Sequence, residues 1–423
     1  MTHTSLASWL SYIESQHPSE IELGLDRGNQ VLARLLLPGS KVSRPKKKVI
    51  TVAGTNGKGS TCAMLTQYLC AQNYSVGTYT SPHFLVFNER IALNNAPCDD
   101  DLICRAFAVV EAARGDIPLT YFEFSTLAAL WIFDQSELDY WVLEVGLGGR
   151  LDSVNMIDTD VAVVTSISLD HMDWLGDNLD IIAQEKTGIA RKDKLLVSGV
   201  VNPPSTIAST ALKIGAHLRQ KDVDFAFKRS ETSWSWVGNG IQYENLPIPS
   251  LPLQNAATVI AVLVYMGLVP TFADLTILFS TAQLTGRFQQ VASSPDVYID
   301  VAHNPEAAVE LAHRISYLPC KPVAVCGMLK DKDIASVISH LASSFSDWFC
   351  CDLGGPRGAK AHELVKNISQ YAPNLSSQTN AFSSVHDAFD AALSKAKEER
   401  CAVIVFGSFV TVSDYLALSQ AKE

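Results

Sequence analysis

The chain has 423 residues, of which 47% are hydrophobic and 18% are charged, and its formal net charge is −11. This length exceeds what one hydrophobic core usually serves, so two domains are expected. The acidic balance argues against a nucleic-acid partner, because binding to a phosphate backbone needs clustered Lys and Arg. The sequence has neither a long apolar run nor a basic segment followed by an apolar one at its N-terminus, so no membrane span and no secretory signal are expected.

Nine cysteines are scattered along the chain without a Cys-x-x-Cys pair or a histidine at metal-ligand spacing. We interpret them as reduced thiols and expect a cytoplasmic protein. One basic stretch precedes the first apolar strand and is interpreted as a solvated loop. Its residues are Lys41, Arg44, Lys46, Lys47 and Lys48.

Short β-branched runs alternate with turn residues and helical patterns in the first part of the chain. The predicted strands are 49–53, 75–79, 140–145, 161–167 and 195–198. Near-continuous apolar strands in such an alternation predict a mainly parallel sheet with helices on both faces. Between 224 and 252, Trp, Gly and Pro residues indicate short β hairpins rather than a helix.

A second set of strands follows a predicted linker near 285–296. These strands are 297–301, 323–326, 347–351 and 401–406, with helices predicted over 305–315 and 385–398. The fold class is therefore predicted to be α/β, with an N-terminal domain over 1–286 and a smaller C-terminal α/β domain over 287–423.

The segment after the first strand has the composition of a phosphate cradle. Glycines let backbone N–H groups approach phosphates, a helix N-terminus adds partial positive charge, and a lysine supplies a formal one. Only two residues separate the first glycine from the Gly-Lys pair, where the common nucleotide loop has four. Taken alone, the segment is also compatible with an ordinary glycine-rich connection. The loop consists of Gly54, Thr55, Asn56, Gly57, Lys58, Gly59 and Ser60.

Acidic side chains follow three of the predicted strands. Glu144 ends a strand before a glycine turn, where a carboxylate can hold the magnesium that accompanies ATP; a solvent-facing acid is the alternative. His171, flanked by Asp170 and Asp173, is either part of a cation site or a satisfied loop residue. Asp300 and His303 lie at a strand-to-helix junction that binds a ligand or is simply a capped turn.

Eight motifs, in chain order, resemble those of the folylpolyglutamate synthase branch of the Mur-type ligases. They are GTNGKGS at 54–60, SPH at 81–83, LEVGLGGRLD at 143–152, TSISLDHMDWLG at 165–176, EKTGI at 185–189, PLQNAA at 252–257, LTGRFQ at 284–289 and DVAHNP at 300–305. The resemblance covers residues 6–409. It implies an N-terminal P-loop ATPase domain and a C-terminal Rossmann-like domain, with ATP bound between them.

The resemblance also implies roles for individual residues. Gly57, Lys58, Gly59 and Ser60 match the residues that cradle the triphosphate. Lys186 matches a lysine that is carbamoylated in the family, which turns a cation into an anionic metal ligand. Ser81, Glu144 and His171 match magnesium ligands, and two Mg²⁺ ions are expected. Further ATP contacts are expected from Asn255, Arg287, Asp300 and His303.

Other segments are similar to those of the bifunctional bacterial members of this family, which implies a pterin-binding role for three stretches. The first departs from the family pattern at Gly28, Asn29 and Gln30. The stretches are Arg27, Gly28, Asn29 and Gln30; Thr120, Tyr121, Phe122 and Glu123; and Leu151, Asp152 and Ser153.

The implied activity is ATP-dependent ligation of L-glutamate to dihydropteroate and to reduced folates through an acyl phosphate, by a monomer. Lys58, Lys186, Glu144 and His171 are the residues expected to carry the catalysis. Three alternatives stay open: a monofunctional folylpolyglutamate synthase, another Mur-type amide ligase, and a non-catalytic nucleotide-binding module.

Overall fold

The computed structural model describes residues 3–17, 22–35, 47–373 and 378–420. It divides into two compact units, Met1–Ile167 with Asn178–Ala282, and Ser168–Asp177 with Gln283–Glu423. Segment 168–177, which carries His171, therefore belongs to the second unit although it precedes much of the first. The domain boundary after residue 286 stays a prediction. Of the basic stretch, Lys41, Arg44 and Lys46 lie outside the described residues.

The first unit contains an eight-stranded sheet with the order β4-β3-β2-β5-β1-β6-β7-β8, in which only the β2–β3 and β3–β4 pairs are antiparallel. A three-stranded antiparallel sheet, β11-β10-β9, belongs to the same unit. The strands are β1 (Lys48–Ala53), β2 (Val76–Tyr79), β3 (Ile91–Leu93), β4 (Ala96–Pro97), β5 (Tyr140–Glu144), β6 (Val161–Val164), β7 (Leu195–Ser198), β8 (His217–Gln220), β9 (Phe225–Arg229), β10 (Ser233–Gly238) and β11 (Ile241–Pro247).

The second unit contains a six-stranded sheet with the order β12-β13-β17-β14-β15-β16, parallel except for the edge strand β12. Strands β14, β15 and β17 are buried throughout, as expected for a sheet covered on both faces. The strands are β12 (Gln289–Ala292), β13 (Val297–Ile299), β14 (Val323–Cys326), β15 (Trp348–Cys351), β16 (Thr379–Phe382) and β17 (Val403–Phe406).

Helices connect the strands of both units. None in the described part of the chain combines the length and the apolar character that a membrane crossing requires. The helices are α1 (Leu6–Glu14), α2 (Asp26–Leu35), α3 (Lys58–Ala71), α4 (Asp100–Arg114), α5 (Tyr121–Gln135), α6 (Met172–Leu175), α7 (Leu179–Thr187), α8 (Ser205–Ile214), α9 (Leu253–Tyr265), α10 (Phe272–Thr281), α11 (Pro305–Ile315), α12 (Ile334–Leu341), α13 (Ala361–Tyr371), α14 (Val385–Glu399) and α15 (Phe409–Gln420).

Strand β1 lies between β5 and β6 at the centre of the first sheet. Its five residues from Val49 to Ala53 are buried, and so are all residues of β5 and β6. In the β1–β5 register Val52 is opposite Glu144. The phosphate loop that follows β1 and the acid that ends β5 therefore leave the sheet at the same edge.

Candidate active site

The loop between β1 and α3 turns sharply at Gly57, which has a φ of 86° and caps the helix. Lys58 is the first residue of α3, and its ammonium folds back over the loop. It donates to the carbonyl oxygens of Gly54 at 3.0 Å and Thr55 at 3.1 Å. A strand, a glycine turn and a helix start are thus arranged as an anion-binding loop requires.

Neighbouring elements hold this loop in place. The N–H groups of Thr55 and Asn56 donate to the carbonyl oxygen and the hydroxyl of Ser166, both at 2.9 Å. Asn255, at the start of α9, lies against Gly57, where an added Cβ would be 2.4 Å from its Oδ1 atom. Both a positive φ and a close side chain therefore require glycine at position 57.

Two hydroxyls, one on the last loop residue and one on the residue after it, are buried without a partner among the described residues. The Oγ of Ser60 and the Oγ1 of Thr61 form no hydrogen bond to any residue that the structure describes. Buried polar groups are almost always hydrogen-bonded, so these oxygens suit a ligand such as a phosphate or its cation.

Ser81 and Glu144, two of the predicted magnesium ligands, lie together in the first unit. Glu144 is buried, and the Ser81 N–H donates to its Oε2 atom at 3.2 Å. Within the described ranges, no group of three or more His, Cys, Asp or Glu residues could hold a metal by itself. One carboxylate beside a phosphate loop fits Mg²⁺, which usually keeps several waters and binds through one or two carboxylates and the phosphates of a nucleotide.

Lys186 lies near the end of α7 and is only 5% exposed. Its Nζ atom donates to the carbonyl oxygen of Gly54 at 3.1 Å. The close packing of Gly149 against this helix turn leaves no room for a Cβ, which would be 2.9 Å from the Lys186 Cα. The chain thus brings Lys186 to the first residue of the phosphate loop.

The predicted pterin stretches also come together. Arg27 forms an ion pair with the buried Glu123 at 2.7 Å, and Glu123 in turn accepts hydrogen bonds from the N–H and hydroxyl of Thr120. Tyr121 and Phe122 are half-buried, whereas Asn29 and Gln30 are exposed. Arg27 also forms an ion pair with Glu22, so Arg27 and Glu123 shape the stretch rather than present free charge.

Asp152, in the third stretch, is a buried carboxylate. Burial raises its pKa from 3.8 to about 6, although hydrogen bonds from the N–H groups of Leu147 and Val154 act in the opposite direction. Gly28 packs on Met156, just beyond this stretch, so closely that a Cβ would be 2.4 Å from the Met156 sulfur. The first and third stretches are therefore neighbours.

In the second unit, Asp300 and Arg287 lie at the end of β13. The Asp300 carboxylate accepts the N–H groups of Phe288 at 2.8 Å and Ala302 at 2.7 Å. Burial raises its pKa, and the charge of Arg287 lowers it in part. The Arg287 guanidinium lies 5.5 Å from the centre of the Phe409 ring.

A second buried carboxylate of this unit, Asp170, connects three segments. It accepts from Lys332 at 2.6 Å and from Asn304 at 3.3 Å, and it lies 3.4 Å from His303. Burial alone would raise the Asp170 pKa, but His303, Lys332 and His171 hold it far below its usual value. His171 has a left-handed backbone, with φ 52° and ψ 42°. Sequence reasoning named Asp170 and His303 but did not anticipate Lys332.

A polar group that sequence reasoning did not select lies in residues 81–90. The Arg90 Nε donates to His83 Nδ1 at 2.8 Å. The carboxylate of Glu89 accepts the N–H groups of Phe84, Leu85 and Val86 at 2.7–2.9 Å, which orders the turn. The SPH motif was the available signal for His83, but nothing in the spacing pointed to Arg90.

Comparison with known proteins agrees with this geometry. The Mur ligase middle domain model matches residues 52–245, and the Mur ligase glutamate ligase domain model matches residues 286–409. The dihydrofolate synthase/folylpolyglutamate synthase of Escherichia coli (strain K12) is 45% identical over 419 residues, which cover 99% of this chain and 96% of that protein. The chain belongs to the dihydrofolate synthase/folylpolyglutamate synthase family of Mur ligases. The prediction of an ATP-dependent ligase is thereby confirmed.

Solved members of the dihydrofolate synthase/folylpolyglutamate synthase family have the same fold. E. coli FolC in complex with DHPP and ADP has a TM-score of 0.92 and 44% identity, and the match covers 100% of this chain and 99% of that one. A bifunctional member with Mn, AMPPNP and L-glutamate bound has a TM-score of 0.90 and 42% identity over 99% of both chains. The predicted α/β fold class is confirmed.

Proposed function

We propose that the chain joins L-glutamate to dihydropteroate, forming dihydrofolate, and to the γ-carboxyl of reduced folates, with ATP converted to ADP and phosphate. The observation that carries the proposal is the loop at 54–60 and its neighbour Glu144. Lys58 covers the loop, two buried hydroxyls lie at its end, and Glu144 ends the adjacent strand.

The loop binds the triphosphate through its N–H groups and Lys58, and Asn255 supports its turn at Gly57. In the second unit, Arg287, Asp300 and His303 contact the nucleotide. Ser81, Glu144 and His171 hold Mg²⁺, as two ions. The metal supplies charge neutralisation for the phosphates and the developing negative charge.

A carboxylate and an amine do not condense in water at neutral pH without activation. The pterin acid's carboxylate oxygen attacks the γ-phosphorus of ATP, forming an acyl phosphate and releasing ADP. Two anions must meet in this step, so the charges of Lys58 and Arg287 offset their repulsion. The amine of glutamate then attacks the acyl carbon, phosphate leaves, and an amide forms with loss of a proton from the amine.

Lys186 takes part as a carbamate. Its neutral amine combines with CO₂ to give a carbamate and a proton, so a cation becomes an anion. Its place suits this role, because Lys186 is buried and the added oxygens would lie beside Gly54 of the phosphate loop.

The pteridine binds among the three stretches at 27–30, 120–123 and 151–153. Asp152 accepts hydrogen bonds from ring N–H groups, and Tyr121 and Phe122 supply apolar contact. We also propose that the protein acts as a monomer in the cytoplasm, where the nine free cysteines that the structure describes would stay reduced.

The decisive experiment offers the purified protein ATP, Mg²⁺ and L-glutamate with either dihydropteroate or a reduced folate. Mass spectrometry of the products identifies which acceptor gains a glutamyl residue, and ADP release is measured in parallel. Gain by both acceptors supports the proposal. Gain by reduced folates alone supports the monofunctional alternative, and no ATP consumption with either acceptor rejects ligase activity.

A further inference from the structure

Arg90 occupies an unusual environment in the first unit. Its side chain is half-buried, and its guanidinium carbon lies 5.7 Å from the centre of the Phe87 ring and 5.5 Å from that of Tyr121. Its Nε atom is committed to His83, whereas its two terminal nitrogens bond to no residue that the structure describes. The two terminal nitrogens of Arg90 are thus available as hydrogen-bond donors beside the rings of Phe87 and Tyr121.

The charge of Arg90 has no counterion in the described chain. No described Asp or Glu forms an ion pair with it, and the adjacent Glu89 directs its carboxylate to three backbone N–H groups. A partly buried cation without an anion costs free energy, and contact with aromatic faces offsets only part of that cost. Such a site favours an anionic ligand, and a guanidinium fork matches a carboxylate.

His83 controls the direction of this fork. Because its Nδ1 atom accepts the Arg90 Nε–H, the proton of the neutral ring is on Nε2. Its ring also packs edge-on against Phe87, with 6.0 Å between the ring centres.

The position of Arg90 connects two parts of the proposed active site. Its carbonyl oxygen accepts the Thr80 N–H at 2.9 Å, directly before Ser81, whose own N–H donates to Glu144. On its other side Arg90 faces Tyr121, the first residue of α5 and a member of a proposed pterin stretch. The acid's carboxylate must lie between pteridine and phosphate, and Arg90 contacts both Tyr121 of a pterin stretch and Thr80, the residue before Ser81.

We propose that Arg90 binds the reacting carboxylate of the pterin acid, with His83 as the positioning residue that aims its guanidinium. The inference rests on the proposed function and adds the group that recognises the acid. Arg90 neutralises the carboxylate and orients it toward the phosphate loop, so that attack on the γ-phosphorus begins from a fixed geometry.

The test measures binding rather than turnover. Dihydropteroate and its carboxamide analogue, which lacks only the negative charge, are titrated into the full-length protein with ADP and Mg²⁺. Wild type is expected to bind the acid about 10- to 100-fold more tightly than the amide. Arg90→Gln is expected to weaken acid binding by that factor and to leave amide binding within about threefold of wild type.

Two further variants keep the result interpretable. Arg90→Lys retains charge but loses the fork and the bond to His83, so an intermediate preference for the acid is expected. His83→Ala is expected to reduce the preference for the acid and to leave amide binding unchanged. A variant that failed to fold would instead lose binding of both ligands. Arg105→Gln, at an exposed site on α4, is the control and should behave as wild type.

Equal affinity of wild type for acid and amide would overturn the inference, even if no Arg90 variant folds. An unchanged preference in Arg90→Gln would overturn it as well. A different assay tests the proposed function. If that function is wrong, wild type releases no ADP and forms no amide product from dihydropteroate and glutamate. The titration reports on Arg90 in either case.

Discussion

The Lys186 ammonium donates a hydrogen bond to the carbonyl oxygen of Gly54, at 3.1 Å. This contact joins the end of α7 to the first residue of the phosphate loop. A buried lysine beside a triphosphate loop could neutralise phosphate as an ammonium or hold metal as a carbamate, and the two states carry opposite charge.

The carbamate predicts a specific rescue. Lys186→Ala is expected to lower kcat by at least about 100-fold, and short carboxylic acids such as acetate should restore part of the loss by supplying the missing oxygens. ADP release is measured against acetate concentration. Lys192→Ala, at an exposed site, is the control and should keep full activity without acetate. Rescue of Lys186→Ala by short amines instead of acids would favour the ammonium.

Gly57→Ala is expected to weaken nucleotide binding by at least about tenfold. The new methyl group would lie 2.4 Å from Asn255 Oδ1, so the loop or α9 must shift. Affinity for ADP with Mg²⁺ is measured by calorimetry. Gly240→Ala is a matched control, because its φ is +74° but a Cβ there meets nothing within 4 Å. Similar losses of affinity in both variants would contradict a local effect.

Asp152 predicts the pH dependence of dihydropteroate use. Because its pKa is raised from 3.8 to about 6, the carboxylate is ionised above that pH and able to accept N–H groups of the pteridine. We expect kcat/KM for dihydropteroate to fall as the pH drops below about 6. In Asp152→Asn, kcat/KM should be low at every pH and should show no such fall. A fall that is unchanged in this variant would belong to the titration of another group.

The raised pKa of Asp152 affects the stability of the fold in the opposite direction, because stability increases as the pH falls. The folded state binds the Asp152 proton more tightly than the unfolded chain does, so the ionised carboxylate destabilises the fold above pH about 6. The contribution of this group to stability should therefore grow as the pH falls from about 6 toward 3.8, and thermal unfolding of wild type and Asp152→Asn measures it.

Asp170→Asn is expected to destabilise the second unit by about 3 to 5 kcal/mol, because the buried ammonium of Lys332 would lose its counterion. Asp331→Asn is the control, since its partner Arg357 is exposed and the expected loss is below about 1 kcal/mol. Chemical denaturation measures both. Because the pKa of Asp170 is held low, its stabilising effect is present above the ordinary carboxyl range and is lost as the pH falls. Equal effects of the two substitutions would contradict a buried charge pair.

The central strands could be predicted because their signal is local. Each of β1, β5, β6 and β7 is an apolar run that ends at turn residues, and the predicted ranges differ from the observed ones by at most a few residues. Strand β8 was missed, since none of its four residues is buried and its sequence carries no apolar pattern. The edge strand β12, with alternating exposure and antiparallel pairing, was missed for the same reason.

The site was predictable where a motif is contiguous and not where it is assembled by folding. The phosphate loop is readable from seven consecutive residues, whereas segment 168–177 belongs to the second unit and contacts residues far along the chain, such as Lys332, which lies 162 positions after Asp170. Arg90 was overlooked because its significance lies in the rings and the imidazole that surround its side chain. The spacing of residues in the sequence cannot show that the folded chain places no Asp or Glu beside the Arg90 guanidinium.

The Glu89 carboxylate, by capping three successive N–H groups, orders the 84–86 turn before any substrate arrives. The entropy of fixing this turn is then lost during folding rather than at each encounter with an acceptor. A ligand that contacts residues 84–86 therefore meets a turn that folding has already ordered.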